Sequence, residues 1–444
     1  MQHGRSVRTP LWLLFSALMA FGVSGCPSQD TSLRSALRFL ETQQKTRTVN
    51  CDHGLSTQTD FPGNWPQEFY FDVLPDTRIP EVSPFVVCFI HHALAAITEE
   101  HADILGMTSD DVARAQIMRR RAADFIRRFE ARPVDPDAAT FGFWPYDEQT
   151  DNEVSALEAL VEAVLVGPRL FGPRVPLNLD FYPRAMGISS DADTTATAYA
   201  ALLDGLTLDG GAEPNPDIGR LFAGWRDTGE SPRRNNPPWL PPVTGAFLTW
   251  LNYRNPPDNT LPNDLDLVVN ANVLYALARF NQLDTPGAAE AIALVNHATE
   301  QGLHQTHYAD ISLYYPDNFA FHYCVSRAYF EGPVPELAPA VKILAADLEA
   351  SAQTRADGAV YWDKGDPHLN TAFAVLTLLN AQEDTRLVGR AIDYLVSEQD
   401  PWLGSWRPGV FFSGQTDGGL RINWNSSALT TAMALEALCR YRKD

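Results

Sequence analysis

The chain alternates between two kinds of helical segment, and this alternation limits the architectures open to it. One kind is apolar around its whole circumference and rich in small residues: Ser83–Ile97, Asp191–Leu203, Asp266–Phe280, Asp317–Phe330, Asp366–Leu379 and Asn425–Tyr441. A helix with no polar face has to be buried on all sides. The other kind is amphipathic and charged: Ser32–Gln43, Ser109–Glu130, Pro286–Gln301, Pro335–Ala352 and Asp384–Glu398, with a weaker sixth signal in Pro214–Trp225. Such helices cover a core from outside. The pairing recurs roughly every 50–70 residues, which predicts an all-α fold: an (α/α)6 toroid with inner and outer helix rings. An outer helix separates successive inner ones, so the inner six run parallel. Their N-termini, with Asp191, Asp266, Asp317, Asp366 and Asn425, are expected at one mouth.

Several inner segments open alike. Asp191-Ala192-Asp193-Thr194-Thr195, Asp366-Pro367-His368-Leu369-Asn370-Thr371 and Asn425-Ser426-Ser427-Ala428-Leu429-Thr430-Thr431 all carry groups that cap orphan N–H donors. Asn270 and Asn272 interrupt an otherwise apolar segment and need partners, either lining a cavity or within an internal network. With Tyr199, Asp266, Tyr275 and His322 they form the expected substrate-binding set. Capping explains Asp264 or Asp266 equally well, and a satisfied core histidine explains His322. Tyr314-Tyr315-Pro316-Asp317, with His322 and Arg327, make a further polar group.

The N-terminus reads as an export signal. Arg5 and Arg8 precede an apolar run from Leu11 to Val23, shorter than the ~20 residues that span a bilayer. Residues 1–25 are therefore expected to be a signal peptide, residues 26–30 a tether, and residues 31–444 a single toroid domain. Val23-Ser24-Gly25-Cys26 resembles the lipobox of bacterial lipoproteins. That resemblance implies acylation of Cys26 and anchoring to a membrane through it. Pro27-Ser28, with no Asp after the cysteine, implies the outer membrane, facing the periplasm. A net charge of −21 with no extended basic stripe argues against nucleic acid as a partner. Cys51, Cys88, Cys324 and Cys439 form no CxxC pair, so no zinc ribbon is expected. The last three sit in apolar segments, as buried free thiols do.

Ala391-Ile392-Asp393-Tyr394-Leu395-Val396-Ser397-Glu398-Gln399, followed by Gly404-Ser405-Trp406, resembles the QW repeat of terpenoid cyclases. Leu348 to Gln353 with Asp357-Gly358 and Trp362, Phe39-Leu40 with Gln43-Gln44, and Phe141-Gly142-Phe143-Trp144 look like looser copies. The chain is thus similar to the terpenoid cyclase and protein prenyltransferase α/α toroid superfamily, with repeats of the squalene cyclase kind. The resemblance implies that Gln and Trp tie an outer helix end to the next loop. Asp191-Ala192-Asp193-Thr194-Thr195 also resembles the Asp-x-Asp-Thr-Thr variant of the class II cyclase motif. That implies a proton-initiated cyclisation of a polyprenyl substrate, a hydrophobic small molecule, with Asp193 as general acid and Asp191 as the carboxylate raising its pKa. Aromatics make up 11% of the chain, and Tyr199, Tyr275, Phe319, Phe321 and Tyr323 lie on or near inner segments to shelter a cation. No cofactor is expected. No metal is expected either, since the Asp-Asp-x-x-Asp cluster and the prenyltransferase zinc set are both missing.

Two other classes remain open. Helix capping accounts for the Asp-x-Asp-Thr-Thr segment without chemistry, and Thr194 stands where the commoner motif has Asp. An (α/α)6 carbohydrate-active lyase or hydrolase would draw on Asp191, Asp264, Asp266 and Asp366, with Trp250, Trp362, Trp406 and Trp424 as sugar platforms. A non-catalytic lipid- or protein-binding envelope lipoprotein would use the same fold.

Overall fold

The computed structural model describes residues 28–52, 57–135, 138–143, 190–209, 216–230, 233, 235–251, 263–382, 385–415 and 421–443. Cys26, the signal segment and Trp144 lie outside the described residues. Twelve helices make two concentric rings. The inner ring comprises α2 (Pro84–Leu94), α4 (Ala192–Asp209), α6 (Leu267–Arg279), α8 (Ala320–Phe330), α10 (Pro367–Ala381) and α12 (Ser427–Lys443). Each packs on the next, and α12 closes the circle on α2. The outer ring comprises α1 (Gln29–Gln43), α3 (Ser109–Ile126), α5 (Ile218–Ala223), α7 (Ala288–Glu300), α9 (Ala338–Ser351) and α11 (Thr385–Glu398). The α/α toroid expected from the alternation is the fold.

Side-chain pattern explains the layering. In α6 every residue from Leu267 to Ala278 is buried, which only a position inside a ring allows. In α11, Val388, Ala391, Ile392 and Leu395 are buried, the i, i+3, i+4, i+7 stripe of a helix with one wet face. The weak sixth outer signal becomes α5, a single short helix capped by Asp217, whose Oδ1 accepts from Arg220 N at 2.8 Å.

Tryptophans fasten the outer helix ends. The indole N–H groups of Trp65, Trp362 and Trp406 donate to the carbonyls of Leu40, Leu348 and Leu395, each over 2.8 Å. Each acceptor lies three residues before its helix ends, in the last turn. Gln399 Nε2 adds bonds to Ser32 O and Gly404 O, and Gln44 Nε2 one to Met118 O. Trp65 completes the Gln44 staple and was not foreseen. Gln353, in the Trp362 copy, is exposed.

The loops at the mouth hold strands that helical periodicity did not foretell. β1 (Gln67–Phe71), β2 (Leu74–Glu81), β3 (Val410–Gln415) and β4 (Arg421–Asn425) form an antiparallel sheet in the order β3-β4-β1-β2. Trp424 faces Phe69 and Ile422 faces Phe71 across the β4–β1 pair. A register shift between Val410 and Phe412 bulges β3, and Phe411 there is fully buried.

Inner-helix N-termini do gather at this mouth, although the capping residues differ in part from expectation. Asp266 caps α6 through Val268 N and Val269 N. Asp366 instead accepts from Val410 N at 2.8 Å, and Asn318 Nδ2 donates to Val410 O. Asp317 is ion-paired with Lys364, leaving Asn318 Oδ1 to accept from Ala320 N. Asn425 belongs to β4, and Ser426 caps α12 at Leu429 N. Cys88, Cys324 and Cys439 are buried free thiols.

Candidate active site

A repeated device fixes where each inner helix meets the loop before it. Thr195, Thr371 and Thr431 accept through Oγ1 from the N–H of Phe141, Trp362 and Trp406 at 3.0, 3.1 and 3.3 Å. Two residues earlier, α10 has Leu369 and α12 has Leu429, both fully buried. At the equivalent place α4 has Asp193. The helix opening therefore does not need a carboxyl there, and the capping duty falls on Asp191, whose Oδ1 accepts from Thr194 N at 2.6 Å.

Asp193 faces the interior and both its oxygens are engaged. Asn272 Nδ2 donates to Oδ1 at 2.6 Å, and Tyr315 Oη donates to Oδ2 at 2.5 Å. Asn272 Oδ1 accepts in turn from Arg327 Nη2 at 2.7 Å. The guanidinium lies 4.5 Å from the Tyr275 ring centroid and 4.8 Å from that of Phe89. Burial, then the charge of Asp191, push the Asp193 carboxyl up to about 8, against the pull of the Tyr315 and Asn272 bonds. That shift favours the protonated form. Burial lifts Asp191 less, to about 6, because the N–H groups it caps hold it down. The two carboxyls share no hydrogen bond, so Asp191 acts on Asp193 through its charge.

Beyond Tyr315 the mouth is aromatic. Phe411, on the bulge of β3, has ring centroids 4.8 Å from Phe89, 5.6 Å from both Phe85 and Tyr315, and 5.8 Å from Phe373. Phe412 continues the wall toward Trp424 at 5.0 Å and Phe143 at 5.6 Å. Those rings come from α2, α10, β3, β4 and two loops, so the toroid brings them together only when closed.

The expected substrate-binding residues divide. Asn272 is at the centre of the site, and Tyr275 lines a small cavity beneath it with Cys88, Phe89, His92, Thr197, Asp204 and Arg327. The others are turned to structural work. Tyr199 donates to Ala139 O at 2.8 Å and its ring packs on Phe141 and Phe280. Asn270 is spent on Phe247 N, Phe247 O and Asp266 O. Asp266 also accepts from Ser312 Oγ, Leu313 N and Tyr314 N, and so anchors the loop that delivers Tyr315. His322 lies five residues before Arg327, about 140° around the helix, and meets His304, Phe319 and Phe321 in the wall.

The four tryptophans expected as sugar platforms are committed to the fold. Trp362, Trp406 and Trp424 are buried, and the Trp250 indole donates to Asp264 Oδ2 at 2.8 Å.

At the opposite end of the ring lies a half-buried charge network. His92 meets Glu331 at 3.0 Å, Asp204 at 3.7 Å and Glu436 at 3.8 Å, while Arg440 pairs with Glu331 at 2.6 Å and Arg279 with Asp204 at 2.5 Å. Burial alone would depress His92, but Glu331, Asp204 and Glu436 outweigh it and raise it to about 9.

No protein-family model matches the sequence, and no curated protein aligns with it. Among solved structures, the chain is similar to a variant of the type II terpene cyclase MstE from Scytonema in complex with its substrate geranylgeranyl dihydroxybenzoate. The TM-score is 0.53 at 14% identity, covering 94% of this chain and 97% of that one. A second variant, in complex with the product merosterolic acid A, matches with a TM-score of 0.52, also at 14% identity, and covers 94% and 97%. The chain carries the α/α toroid fold of the terpenoid cyclases.

Proposed function

We propose that the protein is a class II-type cyclase that protonates a polyprenyl substrate with Asp193. The observation that carries this reading is a buried carboxyl that faces the interior between Asn272 and Tyr315, where sister helices carry leucine. In the step proposed, the Asp193 O–H bond breaks and its proton adds to a terminal alkene or epoxide. A carbocation forms, and the next double bond attacks it to close a ring. A final deprotonation leaves an isomer of the substrate. Tyr315 and Asn272 stabilise the carboxylate left behind, since donors already aimed at its oxygens need no rearrangement. Burial keeps Tyr315 a phenol, its pKa pushed well above 10. Aromatic faces around Phe85, Phe89, Phe411 and Phe412 suit a passing cation and exclude water.

Asp193→Asn, nearly isosteric but without an acidic proton, is the test. Wild type incubated with squalene and with geranylgeranyl-length compounds should give cyclic products, and the variant none. Equal product from both proteins rejects Asp193 as the acid. A lipid tether at Cys26 would hold the protein where polyprenyl compounds reside. Labelling with a palmitate analogue should mark the wild type, and a Cys26→Ala variant that still labels would exclude the tether.

A further inference from the structure

We propose that His304, His322 and Asp347 form a binding site for one divalent transition-metal ion, zinc being the closest chemical match, within the toroid wall. The three come from separate elements. His304 lies in the short turn Leu303–Thr306 after α7, His322 in the first turn of α8, and Asp347 in the last turn of α9. Their donor atoms lie within 4.8 Å of one another. The imidazole planes are 72° apart, with centroids separated by 5.7 Å. Two imidazoles on one tetrahedral ion, with metal–nitrogen bonds of about 2.0–2.1 Å, place their centroids about 5 Å apart. The observed pair needs little adjustment to reach that.

A second observation points to a ligand. Both histidines are buried, at 1% and 3% exposure, and Nδ1 of each is without a hydrogen-bond partner among the described residues. Buried ring nitrogens are ordinarily satisfied. His304 Nε2 already faces the Asp347 carboxylate, and an ion held by both would take the place of the bond between them. Asp347 is the most exposed of the three, at 22% for its side chain, so an ion can enter from its side and a water can complete the coordination. Two imidazoles with one carboxylate suit zinc or cobalt rather than calcium or magnesium.

The other cluster of this kind, His92 with Glu331 and Glu436, is different. There Arg440 already neutralises the carboxylates, and a cation would have to displace it. The wall site is also separate from the Asp193 chemistry, because His322 points away from the axis. Its role is a clasp joining the end of α7, the start of α8 and the end of α9.

The test uses untagged protein stripped with chelator, equilibrated with zinc sulfate and gel-filtered. Wild type should retain one zinc per chain and melt at a higher temperature than the stripped form. Cobalt chloride should give visible absorption bands of four-coordinate cobalt. His322→Leu should abolish both signals. Asp347→Asn, which still accepts from His304 and sits near the surface, should fold normally and bind zinc at least about tenfold more weakly. That second variant decides the matter if His322→Leu fails to fold. Wild type that retains no zinc, or an Asp347→Asn protein that binds it equally well, overturns the proposal. Neither result bears on cyclisation, since metal content and melting are read without substrate.

Discussion

Asn272 grips Asp193 through its amide at 2.6 Å, while its own carbonyl is held by Arg327 at 2.7 Å. The pair spans 79 residues of sequence and joins two inner helices. Replacing the amide by an apolar group of similar size, Asn272→Leu, removes a donor to the carboxylate and leaves buried Arg327 short of an acceptor. The expected cost is about 2–3 kcal/mol in urea unfolding, with Asp193 more reluctant to give up its proton and turnover reduced. Asn272→Asp should be worse for turnover than for folding. A new carboxylate suits Arg327 but repels the anion that Asp193 becomes. Unchanged turnover in both variants would remove Asn272 from the site.

Activity should depend on pH with a definite sign. As the proposed acid, Asp193 would work only while protonated, and its carboxyl is raised to about 8. Turnover is expected to hold from mildly acidic pH to neutrality and to decline as pH rises through about 8. The same shift acts on stability. A folded-state pKa above the unfolded value of 3.8 favours the native state at low pH, and that advantage is lost as pH rises through about 8. Asp193→Asn should flatten this part of the stability curve. A turnover profile that instead climbs through pH 8 would contradict the acid role.

His92 makes a second, separable contribution. Held at about 9 against an ordinary 6.5, its cation stabilises the fold fully below pH 6.5, and the gain disappears as pH rises through about 9. The magnitude should be about 2–3 kcal/mol. Urea midpoints at pH 7 and pH 10 should differ in wild type and much less in His92→Gln. If both proteins change equally, the charge network around Glu331 and Glu436 does not hold His92 ionised.

Phe411 fills the centre of the aromatic mouth. Phe411→Ala should cost about 3–5 kcal/mol, the usual penalty for emptying a buried phenyl site. It should also shift the product distribution toward less cyclised or water-quenched compounds, because the wall that excludes water is breached. Thermal melting and product analysis by mass spectrometry check the two effects. A variant with wild-type products would show that Phe411 packs without shaping the reaction.

The rings were legible because a helix buried all round and a helix wet on one face write different periodicities. Asp193 was legible as well, and its sister helices sharpen the reading. Aligned on Thr195, Thr371 and Thr431, the carboxyl stands opposite Leu369 and Leu429, a comparison open to the sequence alone. Tyr315 and Arg327 stood out as polar, but nothing local links Tyr315 to a partner 122 residues away. Tyr199, Asn270 and His322, expected to face substrate, meet protein groups instead, and one reason covers all three. In an apolar helix a polar residue looks the same whether it meets the axis, a loop or the wall. The sheet escaped notice because β1 and β4 are five residues each and pair across most of the chain, which is invisible to a short window.

That pairing makes the ring a circle with a late seam. Until α12 and β4 exist, α2 and β1 have no neighbour on one side, and the rings of Phe69, Phe85 and Phe89 stand open to solvent. A chain emerging from its N-terminus completes five sixths of the wall before it can shut. Contacts of such sequence separation are slow to form, and unfinished walls of this kind aggregate. Loss of even the last helix would therefore leave a sticky horseshoe in place of a slightly smaller ring.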